Sequence, residues 1–232
     1  MSHSAPIHLR PTAPLAERVL LPGDPGRALA LAQSLLGEPR MFNHHRGLWG
    51  YTGTAPDGEP LTIQSTGMGG PSAAIVLSEL IALGARRAIR VGTCGALAAG
   101  LGLGDLVIAS EAICADGTSR ALAATDRVPA DGSLREALTR AAPSARVGPV
   151  ASVDLFYGER MPDGTSGALA VEMEAAALFA VGAGAGIPVA CVLAVSDTFG
   201  AGGERRRIED SSLLSCAEAM GSAAIEALSA RG

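Results

Sequence analysis

The chain contains no lysine: all eighteen of its basic residues are arginine. That absence excludes Schiff-base chemistry on a lysine, a Walker-type phosphate loop and the lysine of a kinase strand. A basic charge balance is missing too. The net charge is −5 at pH 7, which argues against a nucleic-acid partner, because neutralising a phosphate backbone needs a basic face. The four cysteines, Cys94, Cys114, Cys191 and Cys216, show no C-x-x-C spacing and mostly stand in apolar segments, so they read as reduced core or pocket thiols. No metal is expected either: His44 and His45 are adjacent, would face opposite ways on a strand, and no His/Cys cluster completes a shell. Apolar residues are spread too evenly for a membrane span, and Met1 to Pro14 lack a charged-then-apolar signal pattern, so a cytoplasmic location is expected. With no linker-like stretch and a composition that is 48% hydrophobic and 18% charged, one globular domain over residues 1–232 is expected.

What is present centres on Ala88-Ile-Arg-Val-Gly-Thr-Cys-Gly-Ala96. A buried strand should be near-continuously apolar, and Arg90 interrupts this one two residues before the expected strand end at Gly92. Open α/β sheets place ligands at such ends. An unpaired buried guanidinium costs several kcal/mol, and no acidic residue lies between Glu79 and Asp105. One reading is therefore the wall of an oxyanion site, with Gly92 and Gly95 allowing close backbone approach and Thr93 adding a hydroxyl. The other is a structural salt bridge to a distant carboxylate.

Along the chain, Glu17 to Leu21 reads as a strand. The next turn leads into a helix ending near Leu36, with Asp24 as N-cap, Pro25 at the first helical position and Gly37 as the stop. Arg27 projects from the first turn of that helix, a ready anion site. Met41 to Thr54 and Leu61 to Thr66 form a hairpin across residues 55–60. A helix is expected over Ala73 to Leu83, a strand over Gly104 to Ser110 followed by an irregular polar stretch, a surface helix over Asp131 to Ala142, and strands over Arg146 to Val153 and Ala168 to Val171. Glu172 and Glu174 begin a further helix. They can serve as dipole-favoured caps or, as carboxylates, accept hydrogen bonds from a cis-diol such as ribose. Ile187 to Val195 is the most apolar strand and runs into Ser196-Asp197. Burial there would raise the pKa of Asp197 and make it a general-acid candidate, the alternative being a cap on the next element. A last helix is expected from about Arg205 to Ala230.

Seven stretches occur in order: Leu21-Pro-Gly-Asp-Pro-Gly-Arg27, His45-Arg-Gly47, Gly67-Met-Gly69, Arg90-Val-Gly-Thr-Cys-Gly-Ala96, Ser152-Val-Asp-Leu-Phe-Tyr157, Val171-Glu-Met-Glu-Ala-Ala176 and Ser196-Asp197. The set resembles the bacterial purine nucleoside phosphorylase branch of the nucleoside phosphorylase superfamily, from about Pro6 to the C-terminus. The resemblance implies a single three-layer α/β/α domain whose central mixed sheet forms a distorted barrel, assembled as a homohexamer, a trimer of dimers. It implies that Gly23, Arg27, Arg90 and Thr93 bind phosphate, with Arg46 reaching the phosphate and His8 the ribose of a neighbouring subunit. Met68, Met173 and Glu174 would hold the ribose; Phe156, Val171 and Glu172 would line the base, partly by stacking and backbone contact. Asp197 would be the acid at the purine N7, with Ser196 beside it and an arginine assisting from among Arg205, Arg206 and Arg207, Arg205 being favoured. Phosphate would be a co-substrate, and no cofactor is implied.

Two departures from the family pattern stand out, a shortened stretch between Tyr157 and Val171 and a short loop after Asp197. A uridine phosphorylase would recognise uracil with a glutamine and an arginine after the Phe-Tyr region. The only glutamines are Gln33 and Gln64, although Arg160 keeps that alternative open. A nucleosidase would have little use for Arg27 and Arg90 together, and a catalytically silent binding module would lack the acid.

Overall fold

The computed structural model describes residues 6–157, 162–200 and 204–230, so Arg160 lies outside the described residues. In chain order the elements are β1 (Arg18–Leu21), α1 (Pro25–Leu35), β2 (Gly37–Asn43), a 3-10 turn (His45–Gly47), β3 (Gly50–Thr54), β4 (Pro60–Gln64), α2 (Gly70–Leu83), β5 (Arg87–Ala96), β6 (Leu106–Ala115), α3 (Gly117–Leu122), β7 (Arg127–Pro129), α4 (Gly132–Ala141), β8 (Arg146–Val153), β9 (Ala170–Glu172), α5 (Ala175–Ala185), β10 (Val189–Phe199), β11 (Arg205–Arg207) and α6 (Asp210–Ser229).

The strands form one mixed sheet, part of which closes on itself. β5 runs parallel to β10, β10 is antiparallel to β6, β6 is parallel to β8, β8 is parallel to β9, and β9 returns antiparallel to β5 through Gly95 and Ala96. These five strands are the distorted barrel, and β1, β4, β3 and β2 extend from it as an open wing. Two apolar layers cover the sheet. Val76 and Leu80 of α2 pack with Phe179 of α5 on one face, while Leu31 of α1, Leu138 of α4 and Met220 of α6 pack on the other. Burying such side chains contributes roughly 1.5–3 kcal/mol each, and it is the helical 3–4 spacing of small and apolar residues that turns these faces inward.

Several local expectations are corrected. β5 does not end at Gly92 but continues to Ala96. A Cβ at Gly92 would lie 2.7 Å from Cζ of Arg90, and one at Gly95 would lie 3.1 Å from the Phe199 ring; glycine here permits side chains to cross the strand rather than terminating it. Met41 to Thr54 is not one strand but β2 and β3 joined through the 3-10 turn, where Arg46 adopts φ 58°. Gly37 starts β2, and the extended Leu36 caps α1 in its place. α2 begins at Gly70, and β6 runs to Ala115, with α3 and β7 occupying the stretch expected to be irregular. Glu172 ends β9, so α5 starts only at Ala175. Asp197 lies inside β10 rather than beyond it. Finally, Arg205 is in β11, antiparallel to the end of β10, and α6 starts at Asp210. The ladder from β10 overrides the helical pattern there, because it satisfies backbone groups that a helix extended to Arg205 would have satisfied internally.

Candidate active site

A cleft of about 1160 Å³ opens at the barrel mouth. It collects Gly23, Arg27, Arg46, Met68, Arg90, Thr93, Phe156, Val171, Glu172, Met173, Glu174, Ser196, Asp197 and Arg205 from elements spread along the whole chain. Of the candidates, His8, Arg206 and Arg207 do not line it.

One end gathers cationic side chains that could hold an anion. The Asp24 side chain accepts from the backbone N–H of Arg27 at 2.7 Å, which starts α1 and sets Arg27 in its first turn. Arg90 comes up from β5, and Gly23 and Thr93 line the same cleft as the two arginines. Burial pushes the Arg27 pKa down and nearby Arg90 adds to this, against the opposing pull of Asp24. The Nη1 atoms of both Arg27 and Arg90 are buried and have no hydrogen-bond partner among the described residues. Orphaned buried donors of this kind are costly, and a tetrahedral oxyanion satisfies them.

Arg90 does have acidic partners, so the expectation of a strictly local vacuum of carboxylates resolves at long range. Its Nε donates to Glu172 Oε2 at 3.0 Å, across 82 residues, and its Nη2 pairs with Glu174 Oε2 at 2.5 Å. Burial alone would lower the Arg90 pKa, but these two carboxylates raise it, so the charge is permanent. The salt-bridge reading made from the strand is what the geometry shows: two nitrogens of Arg90 form ion pairs, and Nη1 is left without a partner among the described residues.

In the middle of the cleft, Glu174 Oε1 also accepts from the Gly69 N–H at 2.6 Å. This aligns a carboxylate beside Met68, which is 87% exposed, and Met173. A carboxylate retains lone pairs after accepting two bonds and can take a cis-diol. Glu172, by contrast, spends both carboxylate oxygens on protein donors. Its oxygens accept from Ser152 Oγ, Arg90 Nε and the backbone N–H groups of Glu174 and Ala175. Burial pushes its carboxyl pKa up, and the Arg90 charge opposes that.

The far end is aromatic and acidic. Phe156 and Val171 line it together with Phe199, which the sequence reading missed; its only local signal is its place two residues after Asp197 on the same strand face. Ser196 is accommodated by a bulge between Val195 and Asp197, and its Oγ donates to Asp197 Oδ2 at 2.7 Å. Arg205 Nε donates to Asp197 Oδ1 at 2.8 Å and Arg207 Nη1 at 3.3 Å. Strand alternation explains why residues 205 and 207 share this carboxylate while Arg206 points elsewhere. The expectation that Asp197 has a raised pKa is overturned: burial does push it up, but the hydrogen bonds from Arg205 and Ser196 and the charges of both arginines hold it below the usual carboxylate range.

Outside the cleft, His8 is held by Glu79, a residue that no motif or local pattern singles out. Glu79 on α2 accepts from the backbone N–H groups of Ile7, His8 and Leu9 and from His8 Nδ1 at 2.7 Å. These contacts hold the Glu79 pKa down against its burial. Since an ionised carboxylate only accepts, His8 Nδ1 is the donor in this pair. Arg46 is exposed and lines its own chain's cleft. Among the described residues no cluster of three or more His, Cys, Asp or Glu could hold a metal, and no helix is long and apolar enough to cross a membrane.

Residues 17–229 match the sequence pattern of the phosphorylase superfamily. Proteins named purine nucleoside phosphorylase DeoD-type from Bacillus thuringiensis (strain Al Hakam), Bacillus mycoides (strain KBAB4) and Bacillus cereus (strain AH187) are each 40% identical to this chain over 195 residues, covering 79% of it and 82% of the relative.

Proposed function

Because this chain belongs to the phosphorylase superfamily, we propose that it cleaves purine nucleosides with inorganic phosphate, giving the free purine and a pentose 1-phosphate for salvage. The observation that carries this reading is the pair of orphaned Nη1 donors of Arg27 and Arg90, set in the same cleft as a diol-binding Glu174 and the acidic Asp197. Phosphate is a co-substrate and no cofactor takes part.

In this reading phosphate sits between Arg27, Arg90, Thr93 and the Gly23 turn, and one of its oxygens attacks C1′ of the pentose as the C1′–N9 bond breaks. The bonding pair leaves with the purine. Phosphate charge offsets the cationic sugar and a proton at N7 neutralises the departing base. Glu174 and the two methionines hold the pentose, Phe156 and Val171 the base, and residue 172 contacts the base through its backbone. Asp197 handles the N7 proton. While Arg205 and Arg207 both bond it, its carboxyl is a poor acid. Its protonation requires Arg205 to let go, after which burial raises its affinity for a proton.

His8 and Arg46 complete the site of a second copy in this reading, within a cytoplasmic hexamer that is a trimer of dimers. Supporting it, His8 lies outside its own cleft while Ile7, and Ile75 one turn before Glu79 on α2, are exposed apolar residues beside it. The test is release of free base from inosine, adenosine and uridine, each with and without phosphate. Purine release that depends on phosphate is expected. Phosphate-independent release or a preference for uridine would overturn the reading.

A further inference from the structure

We infer that Glu172 is a positioning residue for phosphate, acting through Arg90, rather than a base-recognition residue; this rests on the phosphorolysis reading. Glu172 is 4% exposed and Arg90 3%. Every hydrogen-bond partner of the Glu172 carboxylate is a donor: Arg90 Nε at 3.0 Å, the Glu174 N–H at 2.9 Å, the Ala175 N–H at 2.9 and 3.0 Å, and the Ser152 hydroxyl; the nearby like charge of the Glu174 carboxylate is itself paired with Arg90. Such a set fits the ionised form and pins both oxygens.

The consequence falls on the guanidinium. A planar Arg fork held at Nε has its two remaining nitrogens fixed in direction. Glu174 takes Nη2, which leaves Nη1 as the buried donor without a partner. The missing Cβ at Gly92 allows the side chain to fold this way, since a Cβ would stand 2.7 Å from Cζ and Nη2. Ser152 is part of the same device: while donating to Glu172 it accepts from the Ala176 N–H at 2.9 Å, so β8, β9 and the start of α5 all bear on the direction of Arg90. Without the Glu172 anchor, the guanidinium can rotate about its last bonds toward Glu174 and lose its aim at the phosphate position.

The test is Glu172→Gln, which keeps the shape and one acceptor oxygen and can donate its amide to Ser152 Oγ. The KM for phosphate should rise about tenfold or more, the range expected when a charge-assisted hydrogen bond is lost, while the KM for inosine changes less than about twofold. Arsenate in place of phosphate should show the same split. Ser152→Ala provides a milder variant and should raise the phosphate KM in the same direction. Stabilisation of the protein by inorganic phosphate alone, followed as a shift in Tm, should be smaller in both variants than in the parent protein. An unchanged phosphate KM and an unchanged phosphate-induced Tm shift, or a rise confined to the nucleoside KM, overturns the inference. If the parent protein shows no phosphorolysis but its phosphate-induced Tm shift is reduced in Glu172→Gln, the functional reading fails and the positioning role stands.

Discussion

Arg205 lies over the Phe156 ring with its Cζ 4.3 Å from the ring centroid, while its Nε holds the Asp197 carboxylate. One cation thus touches both Phe156 and Asp197, so in the proposed reading a base stacking on Phe156 competes with Arg205 for the ring. Replacing Arg205 with Gln should raise the pKa of Asp197. Arg205 and its neighbours depress that pKa, so the ionised form dominates above it and is lost only as pH falls through it. With Arg205 gone, that loss begins at higher pH. Because the proton donor is active only while protonated, the limb on which kcat/KM for inosine falls with rising pH should move to higher pH; a profile superimposable on the parent's would contradict the coupling.

Asp197→Asn removes the titrating group and keeps the shape. A fall in kcat of roughly 10² to 10⁴ is expected, the usual worth of a positioned acid, with the phosphate KM changed little. Equal turnover of adenosine and inosine by the variant and the parent would remove Asp197 from the chemistry.

Arg27→Ala takes away one of the two orphaned donors. The phosphate KM should rise by about tenfold or more, equivalent to ~1.5–3 kcal/mol for a hydrogen bond to a charged group. Steady-state kinetics at varied phosphate read this directly.

Gly92→Ala tests the packing of Arg90. The added methyl must displace a buried guanidinium it would otherwise meet at 2.7 Å, so we expect a stability loss of ~1–3 kcal/mol together with weaker phosphate binding. Denaturant midpoints and phosphate kinetics report the two effects separately.

His8 and Arg46 invite a complementation test. Mixing His8→Ala chains with Asp197→Asn chains under subunit exchange should recover part of the activity, since some mixed pairs hold one site with neither lesion. Glu79→Gln should resemble His8→Ala in raising the nucleoside KM. The depressed pKa of Glu79 also means that its stabilising contacts persist above the ordinary glutamate pKa and are lost as pH falls through the lower, folded-state value; an acid-unfolding curve identical in parent and Glu79→Gln would count against this.

Residue order alone was enough for whatever depends on near neighbours. The Asp24 cap that places Arg27, the β3–β4 hairpin and the candidacy of Glu174 and Asp197 all follow from side chains within a few positions of one another, where capping, turn chemistry and strand alternation operate. The absence of lysine likewise limited the cations available to any anion site before a single contact was known. Barrel closure decided the rest. It set Glu172 and Glu174 against Arg90 across some eighty residues, carried β5 past its glycines because β9 and β10 supplied partners, and turned Arg205 to Arg207 into a strand by offering the edge of β10. The direction of the Asp197 pKa changed for the same reason. Local hydrophobicity speaks only of desolvation, whereas the arginines that outweigh it reach the carboxylate through a strand pairing that no local pattern encodes.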